Sequence, residues 1–264
     1  MNILNVLGVD FETQSSDAVT TNVTEIGAVL EEISWRDGQE GLPARKRLAT
    51  FGTLVFDPGT YPPQTPEIVE ITGITDEMLR SGEGVMTPHA AFSALAHMVE
   101  QADLCMAHNK IFDETVYNSQ VRLLALNPPQ REWLCSYQEI PYPKKFRCKQ
   151  LSHLALDHGV AMDGRTLHRA VNDVELMFDL VLNNYHLRDL LEYSREPWVI
   201  LRADILPPWK DGGKGKDQAT GLGYAWETPR GTNQKYEKLW VKRVKKKEVE
   251  VEIRLAPFRV VVVG

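Results

Sequence analysis

Three β-forming segments follow one another at the start of the chain, before any segment with helical spacing, and this order constrains the fold most. They are 3–11, Val23–Ile33 and Leu48–Phe56, the last ended by the turn signal Asp57-Pro58-Gly59. Helical and strand patterns then alternate: helix 88–101 after the N-cap Thr87, strand 103–107, helix 112–126, strand 132–137, and helices 151–158 and 167–182. Adjacent strands followed by helix-connected strands predict an α/β fold, a mixed sheet flanked by helices.

Composition excludes several classes of protein. Of 264 residues, 43% are hydrophobic and 25% are charged, which is typical of globular domains and excludes wholesale disorder or a fibrous repeat. No run approaches the roughly 18–20 apolar residues of a membrane span. The N-terminus lacks a basic leader, so no signal peptide is expected. Three cysteines without ligand-like spacing indicate a reducing compartment, and we expect a cytoplasmic protein of a bacterium or a phage-infected cell.

Charge and composition divide the chain in two. Residues 1–194 carry a formal balance of −12, whereas residues 195–264 carry +6. We therefore predict a large domain over 1–190 and a small basic C-terminal domain over 195–264, either α+β or β-rich. A basic tail is typical of polyanion binding, although lysine-rich strands are also often only solvated.

A strictly alternating pattern stands near the C-terminus. Val249, Val251, Ile253 and Leu255 alternate with charged residues, which predicts one side of a half-buried strand.

Acidic residues occupy the end of the first predicted strand. Asp10 and Glu12 are two positions apart, so both carboxylates project from one face of the strand. Like charges side by side at the end of an apolar strand are costly unless a cation neutralises them. Taken alone, such a pair is more often structural than catalytic.

Two further segments carry polar residues that are candidates for a functional site. Asp113 stands one turn into a predicted helix that follows His108 and Asn109. His168 and Asp173 are five positions apart, about 140° around an ideal helix, so they share no helix face. Both reach one site only if His168 lies on the loop before the helix.

Together these segments resemble the DEDDh exonucleases, a DnaQ-like family of the ribonuclease-H-like superfamily that includes RNase T, exonuclease X and the polymerase proofreading subunit. The matching motifs are Asp10-Phe-Glu12-Thr13, His108-Asn-Lys-Ile-Phe112-Asp113 and His168-Arg-Ala-Val-Asn-Asp173, in the family's order and spacing. The resemblance covers residues 3–185. It implies a ribonuclease-H-like sheet and a 3′→5′ exonuclease that releases nucleoside 5′-monophosphates.

The resemblance also implies a metal centre. Asp10, Glu12, Asp113 and Asp173 would hold two divalent cations, about 3.5–4 Å apart in such sites, and hard oxygen ligands favour Mg²⁺ or Mn²⁺. His168 would take the proton of the attacking water, since imidazole has a reference pKa of about 6.5.

The same resemblance suggests substrate contacts. Thr13 and Gln14 match positions that contact the terminal nucleotide. Phe11 and Phe112 are candidates for stacking, although Phe11 points away from the acidic pair and fits a core position. Asn109 either bonds substrate or shapes its own turn.

The C-terminal segment offers two interpretations. Trp226 and Trp240 resemble the tryptophans of a small module found in bacterial and phage DNA-processing proteins. With Arg243 and Lys245–Lys247 they make either a stacking and phosphate-binding face for single strands, or the core of a small domain.

The sequence thus favours an exonuclease acting on single-stranded DNA, with RNA as the alternative substrate. A polymerase-associated or nucleic-acid-binding subunit is a second class, and a nucleotide phosphohydrolase a third.

Overall fold

The computed structural model describes residues 1–36, 38, 41–143, 148–161, 168–227 and 238–263. The chain divides into two compact units, Met1–Leu191 and Glu192–Gly264. No helix in these ranges has both the length and the apolar character required to cross a membrane.

A six-stranded mixed sheet forms the first unit, in the order β4-β3-β2-β1-β5-β6. Strands β1, β2 and β3 are antiparallel neighbours, whereas β5 runs parallel to β1, and β6 to β5. This arrangement confirms the predicted mixed α/β architecture. The strands are β1 Asn2–Thr13, β2 Val23–Trp35, β3 Ala44–Val55, β4 Val85–Met86, β5 Leu104–Ala107 and β6 Glu132–Cys135.

Helices cover both faces of this sheet. Alternate residues of β1 enter two different cores: Leu7 packs with the side that includes Phe92, and Val6 with the side that includes Phe178. Strands buried on both faces explain the nearly continuous apolar segments in the sequence. The helices are α1 Pro66–Thr72, α2 Asp76–Arg80, α3 Pro88–Gln101, α4 Lys110–Leu123, α5 Leu151–Asp157, α6 Ala170–Leu182 and α7 Leu187–Arg195, the last of which continues into the second unit from Glu192 onward.

Two helix starts differ from the predicted boundaries. Helix α4 begins at Lys110, two residues earlier than expected, so Asp113 still stands in its first turn. Helix α6 begins at Ala170. Leu167, where the prediction started this helix, lies outside the described residues. His168 therefore precedes the helix.

The second unit is built on a four-stranded antiparallel sheet in the order β10-β7-β9-β8. Leu201, Tyr224 and Trp240 lie in its buried core, where Ala219 of a helix also packs. This small sheet confirms the predicted additional module. Its elements are β7 Trp198–Ala203, α8 Lys214–Gly221, β8 Ala225–Glu227, β9 Leu239–Lys245, α9 Val249–Leu255 and β10 Val260–Val262.

The strand predicted over 249–255 is wrong, because this segment is helix α9. The carboxylate of Glu248 accepts the backbone N–H of Lys245, a capping-box arrangement that starts a helical turn just before the alternating residues. Glu252, which alternation assigns to solvent, is buried and pairs with Lys242, whereas Val251 is exposed. Local capping and one buried ion pair thus override the period-two pattern.

Candidate active site

The carboxylates of Asp10 and Glu12 stand at the carboxyl end of β1, on one face of the strand. Helix α4 follows β5, which runs parallel to β1, so Asp113 is delivered to the same edge of the sheet. Glu12 is 9% exposed and Asp113 is 3% exposed. Two buried acids and the half-buried Asp10 are therefore concentrated at one edge of the sheet.

His168 lies on the loop before α6, in a left-handed backbone conformation with φ of 58°. Its backbone N–H donates to Oδ2 of Asp173 at 3.0 Å, which closes the turn that leads into the helix. One potential ligand atom each from Glu12, His168 and Asp173 lies within 4.8 Å of the others. The turn brings together the two residues that an unbroken helix would have separated.

A row of glycines lets α6 approach the sheet at this point. Gly27 pairs with Asp10 on one side and with Gly52 on the other. A Cβ on Gly27 would overlap the backbone of Ala170 and Val171, and a Cβ on Gly52 would lie 2.6 Å from Cγ2 of Val171. The first turn of α6 therefore rests on bare backbone, and this close approach places Asp173 beside the acids of β1.

Glu25, which is not among the predicted site residues, binds the N-terminal end of α6. It lies directly opposite Glu12 in the β1–β2 register. Its Oε2 accepts the backbone N–H of Ala170 at 3.1 Å, and its carboxylate forms an ion pair of 2.8 Å with Arg169. Helix α6 has no N-terminal cap from its own side chains, so a carboxylate from a neighbouring strand supplies it. A charged residue inside the apolar segment Val23–Ile33 was the available signal.

Burial and mutual repulsion shift the protonation of the cluster. Burial, and then the charges of Asp173 and Glu25, raise the pKa of Glu12 to about 8. Burial also raises the pKa of Asp173 to about 6. Burial, followed by the charge of Asp113, raises the pKa of Asp10 well above its ordinary value, and burial raises that of Asp113. Without a counter-charge the site retains protons that isolated carboxyl groups would lose.

This donor set fits a hard divalent cation. Carboxylate oxygens are the ligands that Mg²⁺ and Mn²⁺ prefer, and a cation would offset the burial and the repulsion that together raise these pKa values. Glu12, His168 and Asp173 are the residues whose ligand atoms converge, and Asp10 is coupled electrostatically to both Glu12 and Asp173.

Two of the predicted substrate residues have their polar groups engaged within the chain. The Thr13 hydroxyl donates to the carbonyl of Ser15 at 2.8 Å. The Gln14 side chain donates to the carbonyl of Pro62 and accepts from Asn22. These bonds fix the loop beyond the acidic pair.

The remaining predicted substrate residues differ in exposure. Asn109 is exposed, and its backbone carbonyl accepts the N–H of Phe112 at 2.9 Å; Phe112 itself is half-buried against the core. Phe11 is 5% exposed and stacks on Phe92 with ring centroids 5.8 Å apart. The ring projects from the opposite face of β1 to the acids and packs in the core, which agrees with the core interpretation of Phe11 rather than with stacking on a base.

His108 is a packed histidine beside the candidate site. Its Nδ1 lies 2.8 Å from the hydroxyl of Ser136, and its Nε2 lies 2.9 Å from the carbonyl of Lys149. Burial lowers the pKa of His108 to about 4. Its neutral ring links the second motif to the segment before α5.

In the second unit, two residues of the predicted nucleic-acid-binding face, Trp240 and Lys245, are buried. Trp240 is 2% exposed, donates to the carbonyl of Leu206 at 2.9 Å and packs on half-buried Trp226, as the core interpretation requires. Lys245 is fully buried, with its ammonium group donating to the carbonyls of Ser194 and Glu196. Lys245 is thus not a surface phosphate ligand.

The RNase T family model, described as an exonuclease, matches residues 7–181. This range contains both acidic strand residues, Asp113 and the His168–Asp173 turn. No curated protein sequence matches the chain.

Solved structures of exonuclease I share the fold. The zinc-bound form of E. coli exonuclease I in complex with single-stranded DNA matches with a TM-score of 0.59 and 13% identity, over 92% of this chain and 63% of that one. The same enzyme with a dT13 oligonucleotide gives 0.58 and 12%, with the same coverage. Exonuclease X in complex with 5′-overhanging duplex DNA gives 0.46 and 19%, over 72% and 92%. The chain thus spans less than two thirds of the length of the exonuclease I chains.

Proposed function

Because the chain belongs to the RNase T family of exonucleases, we propose that it is a divalent-metal-dependent 3′→5′ exonuclease that releases nucleoside 5′-monophosphates from single-stranded DNA. The observation that carries the proposal is the convergence of Glu12, His168 and Asp173 within 4.8 Å at the sheet edge where Asp10 and Asp113 also lie. Such a set combines cation ligands with a group able to accept a proton.

In this proposal Asp10, Glu12, Asp113 and Asp173 hold two cations, Mg²⁺ or Mn²⁺. When bound, the cations polarise the phosphodiester and stabilise its developing negative charge. The imidazole of His168 accepts the proton of the attacking water. Its exposed position on the turn before α6 suits that role, since the ring remains accessible to solvent and strand.

Four residues that adjoin the acidic residues in the chain are suited to binding the end of a nucleic-acid strand. Asn109 is exposed beside the acids, and Phe112 is half-buried one residue before Asp113. Thr13 and Gln14 contribute through the loop that their side-chain bonds hold in place. We assign these four residues to the terminal nucleotide.

Single-stranded DNA is the proposed substrate for two reasons. The exonuclease I structures that share this fold hold single-stranded DNA, and the second unit carries an excess of positive charge. The alternatives are an RNA substrate and a nucleic-acid-binding subunit without catalysis. The experiment that follows distinguishes them.

The test uses strands of DNA and RNA labelled at the 5′ end, with Mg²⁺. Wild type should give a ladder that shortens from the 3′ end, faster on DNA, and EDTA should abolish it. Asp10→Asn should abolish it too, whereas Asp189→Asn, an exposed acid of the same unit, should leave it intact. Binding without any ladder would overturn the catalytic proposal, and a faster RNA ladder would overturn the DNA preference.

A further inference from the structure

Cations and aromatic rings alternate along one face of the second unit. Arg243 lies over the ring of Trp198 at 4.8 Å, and the ammonium of Lys245 lies 4.1 Å from the same ring centre. Lys245 is also 5.1 Å from the ring of Tyr193, over which Lys247 lies at 5.0 Å. We call the series Arg243, Trp198, Lys245, Tyr193 and Lys247 the cation–aromatic ladder.

The ladder lies on the face of the sheet that the unit's core does not use. Along β9, Trp240 and Val244 enter the core, so Arg243 and Lys245 project from the opposite face. Ile200 and Trp198 of β7 stand directly opposite Arg243 and Lys245 and share that face. The ladder is thus a property of strand register, and it does not involve the Trp226–Trp240 pair.

Its central cation is structural, and its two end cations are exposed. Buried Lys245 bonds two backbone carbonyls and fixes both rings, whereas Arg243 and Lys247 lie at the surface. Among the described residues neither end cation forms an ion pair. A carboxylate oxygen of Glu196 accepts the backbone N–H of Lys247 at 3.2 Å. A carboxylate oxygen of Glu248 accepts the backbone N–H of Lys245, also at 3.2 Å. The end cations are therefore left to bind an external anion.

We infer that the ladder binds the sugar–phosphate backbone of a single-stranded polynucleotide, with bases resting against its half-buried rings. Cations interleaved with aromatic rings are the chemistry of sequence-tolerant strand binding. A guanidinium whose carbon lies 4.8 Å from the centre of an indole ring can still offer N–H groups to a phosphate. This inference rests on the exonuclease function proposed above, which supplies the strand, and it assigns the holding of that strand to the second unit.

The experiment measures equilibrium binding of a fluorescent oligothymidylate strand to the full chain in EDTA, where no strand is cut. Arg243→Gln combined with Lys247→Gln should weaken binding about tenfold. The slope of log K against log salt should become shallower by about 1.4, since two phosphate contacts are lost. Lys214→Gln combined with Lys216→Gln removes the same charge from exposed positions of α8 and should bind like wild type. Equal binding by the two double variants would overturn the inference.

Two further binding measurements test the stacking of Arg243 and the type of strand. Arg243→Lys should keep the salt slope yet bind more weakly, because an ammonium lacks the planar fork; wild-type affinity would overturn the stacking component. An oligouridylate strand should show the same loss as DNA, since the proposed contacts do not involve the 2′ position at which the two sugars differ. A loss confined to an acidic protein partner, with strand binding unchanged, would contradict the assignment.

Hydrolysis of the p-nitrophenyl ester of thymidine 5′-monophosphate with Mg²⁺ separates this inference from the proposed function. The ladder double variant should hydrolyse the ester as wild type does. If wild type fails to hydrolyse both the ester and the strand, the exonuclease proposal fails, while the binding comparison still decides whether the ladder holds a strand.

Discussion

Arg169 meets the carboxylate of Glu25 through three N–H···O contacts. Nε lies 3.1 Å from Oε1 and 3.2 Å from Oε2, and Nη2 lies 2.8 Å from Oε1. The residue after Arg169 begins α6, whose first backbone N–H also donates to Glu25. The pair therefore anchors the turn that presents His168 and Asp173 to the acids of β1, although neither partner was among the predicted site residues.

Glu25→Gln should lower kcat by about 10- to 100-fold, the range for residues that orient metal ligands, with little change in KM. The amide cannot accept from both Arg169 and the helix N-terminus. Arg169→Lys should fail similarly, since a single ammonium cannot reproduce the fork. Steady-state kinetics over a Mg²⁺ titration measures both effects, and a raised Mg²⁺ requirement marks a positioning role.

Glu31→Gln is the matched control for that variant. Glu31 is a buried glutamate of the same strand, paired with Arg45 and Arg47. This substitution should lower the melting temperature without lowering kcat. If both glutamine variants lose activity in proportion to stability alone, the positioning role of Glu25 is refuted.

Gly27→Ala should destabilise the first unit by about 3 kcal/mol, because the new methyl group meets the backbone of α6 rather than a movable side chain. Activity of the folded fraction should also fall, since Asp173 moves with the helix. Gly59→Ala, whose Cβ would meet the Asp57 carboxylate at 3.4 Å, should change stability by less than about 1 kcal/mol. Urea denaturation compares the two, and equal losses would contradict the close-approach argument.

The metal-free protein should become less stable as the pH rises from about 4 to about 8. Burial raises the pKa of Glu12 to about 8 and that of Asp173 to about 6, so the folded state binds more protons than the unfolded chain in this range. Stability from these groups is complete below the unfolded values and lost as the pH rises through the folded ones. Melting temperatures measured in EDTA test this expectation.

Glu12→Gln should flatten that pH dependence and stabilise the metal-free protein above about pH 8, while abolishing nuclease activity. Mg²⁺ should stabilise wild type far more than the variant. An unchanged pH slope in Glu12→Gln would show that the acidic cluster is not the source of the dependence.

His168→Ala should lower kcat by about 10²- to 10⁴-fold, the usual contribution of a general base. The folded structure and the binding of strand in EDTA should be retained, because the His168 backbone N–H, not its ring, bonds Asp173. His97→Ala, an exposed histidine on α3, serves as the control. Full activity in His168→Ala would remove this residue from the proposed chemistry.

Much of the first unit could be predicted because its signals are local. Apolar β-forming segments located β1, β2 and β3, and Thr87 followed by Pro88 marked the start of α3. The failure over Val249–Leu255 shows the limit of such patterns. There the alternation of apolar and charged residues was genuine, but the Glu248 cap and the burial of Glu252 decided in favour of a helix.

The sequence by itself determined the order of the main strands and helices of the first unit, the two-part division of charge and the identity of the acidic and histidine residues. Only the tertiary structure decided which groups meet: the Glu25–Arg169 pair, the glycine row beneath α6, and the ladder around Lys245. Periodicity and capping act over a few neighbouring residues, so a chain displays them directly. Strand register, close approach and desolvation join residues that lie far apart in the chain, 144 positions in the case of Glu25 and Arg169, and they arise only when the chain has folded.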